Sequence, residues 1–169
     1  MILQFSEWLN ESSLNSLFQS TVDAFPYTTK RQHSTDTIKI TKMSWTPFVG
    51  LKTLYVKGLA QNEGREYTPA ILFKNVKYGE GVELLASDNK NYRLEKLTLN
   101  GDVLVRCGCG DFRWRFNYYD FLDHSLYGKK AKKYEAKYRP GSANPEEMPG
   151  MCKHLLKLIK ILKSSEIIS

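Results

Sequence analysis

Apolar and polar positions follow two rhythms along this chain. Phe5, Trp8, Leu9, Leu14, Leu17 and Phe18 recur every three to five residues, which predicts an amphipathic helix, or two short helical pieces, over residues 4–19. Ser6 is the expected N-cap, and Phe25-Pro26 closes the element ahead of a polar linker over residues 28–37. The middle of the chain changes period. Residues 37–44, 52–59, 67–76 and 81–86 are rich in Ile, Val, Tyr and Thr with Gly and Asn between them, and they read as β-strands. Residues 92–99 and 102–106 flank Asn100-Gly101, a strong hairpin signal that predicts a β-hairpin. The helical rhythm returns at the end. Leu155, Leu158, Ile159 and Leu162 fall on one face of a helix over residues 152–163, with Lys153, Lys157 and Lys160 on the other, so the apolar face is core.

Between the hairpin and that helix lie two segments with more than one reading. Phe112, Arg113, Trp114, Arg115, Phe116, Tyr118, Tyr119 and Phe121 alternate aromatic, basic and polar groups. The favoured expectation is a strand with Phe112, Trp114 and Phe116 on the core face and Arg113 and Arg115 in solvent. The other is a stacking platform with guanidinium groups for phosphates, the chemistry of single-stranded nucleic-acid sites. Residues 128–150 form a proline-containing loop that opens with Lys129, Lys130, Lys132, Lys133, Lys137 and Arg139, interleaved with Tyr134 and Tyr138 and opposed only by Glu135. The loop reads equally as a phosphate-binding segment, an arm lying on an acidic neighbouring subunit, or a solvated insertion.

The candidate chemistry is concentrated in the three cysteines of the chain. Cys107-Gly108-Cys109 and Cys152-Lys153-His154 use all of them, and three thiolates completed by an imidazole suit a closed tetrahedral zinc site with no open position for water or substrate. A structural rather than catalytic metal is therefore expected. The predicted hairpin delivers Cys107 and Cys109 at its far end, so the metal should lock the sheet to the final helix. His124 sits in an aromatic segment and is not expected to be a ligand; His33 lies in a polar run and is expected to be exposed.

The Cys-x-Cys and Cys-x-His pairs, followed by Leu155-Leu156, resemble the SWIM-type zinc-binding module over residues 100–163. The resemblance implies a short β-hairpin followed by a helix, with Cys107, Cys109, Cys152 and His154 all on one Zn2+. The 42 residues between Cys109 and Cys152 exceed the spacer usual in that family, which implies an insertion.

Size and charge narrow the picture. The 169 residues, 41% hydrophobic and 12% aromatic, suffice for a real core. No stretch approaches the roughly 20 apolar residues of a membrane span. Residues 1–29 contain no Lys or Arg and do not read as a secretion signal, and cysteines in metal spacing fit a reducing compartment. The net charge of +7 is uneven: residues 1–29 carry only Glu7, Glu11 and Asp23, and the basic excess lies beyond them. That excess permits nucleic acid as a partner without requiring it. There is no phosphate-binding glycine loop or Ser/His/Asp set. Asp120 and Asp123 lack a third acidic ligand, so no enzyme and no small-molecule substrate is expected.

Phe5, Glu7, Trp8, Leu9 and Glu11 occur in the order of the N-terminal targeting segment of virion proteins of T4-like tailed bacteriophages, and residues 1–11 resemble it. The likeness implies a small helix that docks through Phe5, Trp8 and Leu9, cleavage after Glu11, and residence in a virion assembled in the host cytoplasm. The aromatic and basic stretch over residues 107–162 is similar to small proteins of marine and T4-like phages. Together these readings define an α+β protein: an N-terminal helical segment (1–29), an antiparallel β domain of about five or six strands (30–106), and a zinc-binding region with a basic insertion loop and C-terminal helix (107–169). The expected function is that of a zinc-stabilised structural or assembly protein of a tailed-phage virion, with other virion subunits as partners and no membrane. The alternative is a nucleic-acid-binding zinc module using Arg113, Arg115, Lys129, Lys130, Lys132, Lys133 and Tyr134.

Overall fold

The computed structural model describes residues 12–25, 34–134 and 144–169. Its first helix, α1 (Leu14–Ala24), begins where Ser13 and Ser16 exchange hydrogen bonds: the Ser13 hydroxyl accepts from the Ser16 amide and the Ser16 hydroxyl accepts from the Ser13 amide. That reciprocal cap satisfies two amides with no helical partner, and it starts this helix at Leu14. Leu14, Leu17 and Thr21 turn inward while Phe18 stays half exposed. Phe25 is the C-cap, where the sequence places the stop. Ser6, Phe5, Trp8, Leu9 and His33 lie outside the described residues.

Five antiparallel strands follow as one sheet in the order β1–β2–β4–β7, with β3 paired to β2. They are β1 (Lys39–Phe48), β2 (Thr53–Asn62), β3 (Arg65–Tyr67), β4 (Ala70–Phe73) and β7 (Val103–Arg106). In β2 the alternation is strict, and Leu54, Val56 and Ala60 are completely buried, as period-two patterning over one covered face requires. The stretch over residues 67–76, expected as one strand, is broken at Thr68-Pro69. Proline has no amide to give a ladder, and the Pro69 carbonyl instead accepts from the Gly58 amide at 2.9 Å.

A second antiparallel pair, β5 (Tyr78–Leu85) with β6 (Asn91–Leu94), overturns the hairpin expected around Asn100-Gly101. Residues 92–94 pair backward with β5, and β7 pairs with β4 in the register Ile71↔Val105 and Phe73↔Val103. Neither Asn100 nor Gly101 adopts the positive φ that a two-residue primed turn needs at both central positions. Tertiary partners claim the segment: the Leu99 carbonyl accepts from Asn15 at the start of α1, and Leu97 pairs with the chain end near Ile168. The primed turn occurs at Glu63-Gly64, φ 50° and 76°, which closes β2 onto β3.

The strand expected over Phe112, Trp114 and Phe116 is a helix. A π-helical turn (Phe112–Phe116) runs into α2 (Asn117–Leu122). Phe112 and Phe116, four apart, are buried, whereas Trp114 between them is 43% exposed. The spacing Phe112, Phe116, Tyr119 is helical, and alternation over five residues was too short to exclude it. The last helix, α3 (Lys153–Lys163), buries Leu155, Leu158 and Leu162 against the sheet. It approaches β2 closely at Gly58, where an added Cβ would lie 3.1 Å from Leu158 Cδ1. Among the described residues no helix is long and apolar enough to cross a membrane.

Candidate metal centre

Cys107 follows directly from β7, so the sheet fixes its position. Two residues on, Cys109 opens the helical turn: its carbonyl accepts from the Arg113 amide at 3.1 Å, and its Sγ accepts from the Phe112 amide at 3.3 Å. An amide aimed at sulfur favours a thiolate. The second pair opens α3. Cys152 is the N-cap, with extended backbone, and its carbonyl accepts from the Leu156 amide at 3.0 Å. His154, in the first turn, is 3% exposed.

These four side chains converge. One ligand atom from each of Cys107, Cys109, Cys152 and His154 lies within 4.8 Å of all the others, and all four residues are buried. His154 Nδ1 is 3.9 Å from both the Cys107 and the Cys152 sulfur. Its ring packs on Tyr67 with centroids 4.4 Å apart and 33° between planes, while Nε2 is buried without a hydrogen-bond partner. The histidine is thus aimed by stacking and by its helix, with Nδ1 toward the sulfurs. The cysteines are unbridged.

The electrostatics of three such sulfurs call for a cation. Hydrogen bonds from the Cys107 and Cys152 thiols pull the Cys109 thiol far below its ordinary value. The thiol–thiolate bond to Cys109 pushes Cys107 up, and burial above all pushes up Cys152. Without a cation, ionising a second thiol is disfavoured, because its charge would be buried against the first. A divalent ion removes that restriction and deprotonates a coordinating thiol outright. The donor set therefore fits a metal ion. An apolar groove of about 350 Å³ between α1 and α3, lined by Leu14, Phe18, Val22, Leu156 and Ile159 among others, includes none of the four.

The approach to Cys152 is pinned by residues that sequence reasoning missed. Ser20 Oγ donates to the Pro149 carbonyl (2.6 Å), Asp120 Oδ1 accepts from the Gly150 amide (2.7 Å), and Thr21 Oγ1 accepts from the Met151 amide (2.9 Å). A Cβ on Gly150 would come within 2.5 Å of Thr21 Oγ1 and 2.6 Å of Phe116 Cε1. Only glycine fits between these buried groups. No local pattern announces Tyr67, Thr21 or Asp120, because each serves the centre from a distant element.

Asp120 is completely buried, and its Oδ2 has no partner. Burial raises its carboxyl well above the ordinary aspartate value of 3.8, with nearby Asp123 adding in the same direction. A carboxyl raised on folding contributes stability that is full below the unfolded value and is lost as pH climbs through the folded one. Asp120→Asn keeps the acceptor for Gly150 and removes the titration. Urea unfolding of the two proteins from pH 4 upward is expected to show the wild type losing ground to the variant as pH rises; parallel curves would mean that Asp120 is ionised without cost.

The other residues singled out from the sequence fall into two sets. Arg113, Lys129, Lys130, Lys132, Lys133 and Tyr134 are exposed. Arg115 is drawn inward, its side chain 14% exposed, with Nε 3.1 Å from Asp111 and its guanidinium over the Phe25 ring at 4.6 Å. Burial raises the Asp111 carboxyl and Arg115 opposes the rise. His124 is exposed with φ 61° and is not among the converging residues. Lys137 and Arg139 lie outside the described residues. No protein-family model, curated protein or solved structure matches the chain.

Proposed function

We propose that the chain is a non-enzymatic structural and assembly protein stapled by one zinc ion on Cys107, Cys109, Cys152 and His154, in the manner of a SWIM-type module with a long insertion. The observation that carries this reading is the buried, four-ligand closure of the cluster, since catalytic zinc sites keep one position open. Tetrahedral zinc has sulfur–sulfur edges of about 3.8 Å and sulfur–nitrogen edges of about 3.6 Å from its ordinary bond lengths. The two 3.9 Å sulfur–nitrogen separations are close to that figure, and three sulfurs with one imidazole select a borderline-soft ion over Mg2+ or Ca2+. What the ion holds together is the β7 end, the turn into α2 and the start of α3, and the long insertion is built on that frame.

The finer assignment is to the virion of a tailed phage, with other virion subunits as partners. It is supported by the order Phe5, Glu7, Trp8, Leu9, Glu11 in the sequence, all outside the described residues. Substitution by Co2+ tests the metal reading: ligand-field bands of a tetrahedral three-sulfur, one-nitrogen site should appear and be displaced by Zn2+, whereas an octahedral spectrum would sink it. Trp8→Ala tests the assembly reading, and should lower incorporation into particles without changing metal content or thermal stability.

A further inference from the structure

Four large apolar side chains near the metal frame remain outside the core: Trp114 is 43% exposed, Phe121 40%, Leu122 55% and Tyr134 38%. They lie on two tracks that run side by side in opposite directions. One is the helical stretch over residues 112–122; the other is the basic segment over residues 128–134. Phe121 meets Lys130, whose ammonium lies 4.8 Å from the ring centroid. Asn117 Oδ1 accepts from the Ala131 amide at 2.5 Å, and Trp114 meets Tyr134 with ring centroids 5.7 Å apart. Arg113 stands over the Trp114 ring at 4.8 Å.

The second track is anchored, so these positions are set before any partner arrives. Arg106 Nη1 donates to the Tyr127 and Lys129 carbonyls at 3.1 and 2.9 Å, and the Val105 and Tyr127 backbones pair at 3.0 Å. The first track is rooted by Phe112 and Phe116 and begins at Cys109. Nearby carboxylates are occupied: Asp111 faces Arg115, Asp123 accepts from Ser12 Oγ at 2.5 Å, Glu147 faces Lys133, and Asp120 is buried. Arg113, Lys129, Lys130 and Lys132 have no ion-pair partner among the described residues.

We infer that this surface binds single-stranded nucleic acid, with unstacked bases on Trp114, Tyr134 and Phe121 and phosphates on Arg113, Lys129, Lys130 and Lys132. Charge alone would serve any polyanion. Exposed aromatic faces interleaved with cations that have no ion-pair partner among the described residues add what a single strand offers and a duplex hides, the π-faces of its bases. The inference rests on the scaffold reading above, because the first track begins at a metal ligand, and it names the partner that the frame would present a surface to.

The test is fluorescence anisotropy of a labelled oligothymidylate of about 12 nucleotides, within the range one such surface covers, titrated with the zinc-loaded full chain at increasing salt. Four phosphate contacts predict a log–log salt slope of about −3 on a single strand. Lys129→Ala with Lys130→Ala and Lys132→Ala leaves one contact and a slope of about −0.7. Trp114→Ala weakens binding about tenfold or more, as loss of one stacked base does. Equal affinity for a duplex of the same length, no effect of Trp114→Ala, or no binding at about 50 mM salt would overturn the inference. Equally tight binding of polyglutamate would overturn it too, and would assign the surface to an acidic protein. Zinc content measured on the same samples separates the two ideas: a zinc-loaded protein that ignores the oligonucleotide refutes this inference alone, and a protein without zinc refutes the scaffold reading.

Discussion

Treatment with a metal chelator under reducing conditions is expected to cost the protein its cooperative fold. Structural zinc sites in small domains have apparent binding free energies of about 10–16 kcal/mol at neutral pH, comparable to the whole stability of a typical domain at about 5–15 kcal/mol. Without an ion three buried sulfurs crowd together with nothing to offset a second thiolate, beside a buried imidazole whose Nε2 has no partner. The damage spreads because the ligands sit where elements begin. Cys152 and His154 start α3, which supplies the fully buried Leu155, Leu158 and Leu162, and Cys109 starts the turn that buries Phe112 and Phe116. For a chain of this size each kcal/mol shifts the melting temperature by roughly 3 °C. Even about 5 kcal/mol withdrawn then lowers it by roughly 15 °C. Near-ultraviolet circular dichroism during a melt with and without chelator reads this directly, and a melting curve unmoved by chelation would remove the metal from the account of stability.

Phe116→Ala is expected to destabilise by about 3–5 kcal/mol, the range for truncating a buried aromatic residue, while Trp114→Ala costs little. Phe116 is 1% exposed, meets Phe25 edge-on with centroids 5.7 Å apart, and closes over Gly150 ahead of Cys152. Its loss opens a cavity between α1 and the segment leading to Cys152. Trp114, two residues away, is 43% exposed and touches Arg113 and Tyr134 rather than the core. A strand through this region would place Phe112, Trp114 and Phe116 on one face and make the two substitutions alike. Equal losses in chemical denaturation would therefore count against the helical turn.

The Cys/His cluster was legible because its signal is chemical and local: two short pairs that exhaust the cysteines mark residues able to share a metal ion without reference to the fold. The final helix was legible for a related reason, since Leu155, Leu158, Ile159 and Leu162 repeat long enough for only one period to fit. The Asn100-Gly101 turn shows the opposite case. Its local preference is genuine, yet Leu97 and Leu99 find better partners at the chain end and at Asn15, and β7 finds β4. The segment Phe112 to Phe116 was ambiguous at source, because five residues with apolar groups at alternate positions also place the first and last on one helix face. Tyr67 against His154, and Asp120 and Thr21 on either side of Gly150, could not be read at all. Each acts on the centre across 29 or more residues of chain, and nothing in its own neighbourhood marks it.

Native mass spectrometry of the intact chain and of Cys152→Ser, purified side by side, tests the central claim most directly. One zinc ion per chain in the intact protein, lost in the variant together with thermal stability, is the result expected. An intact chain carrying no metal, or a variant that keeps its full complement, would contradict the assignment of Cys107, Cys109, Cys152 and His154 as a structural zinc site.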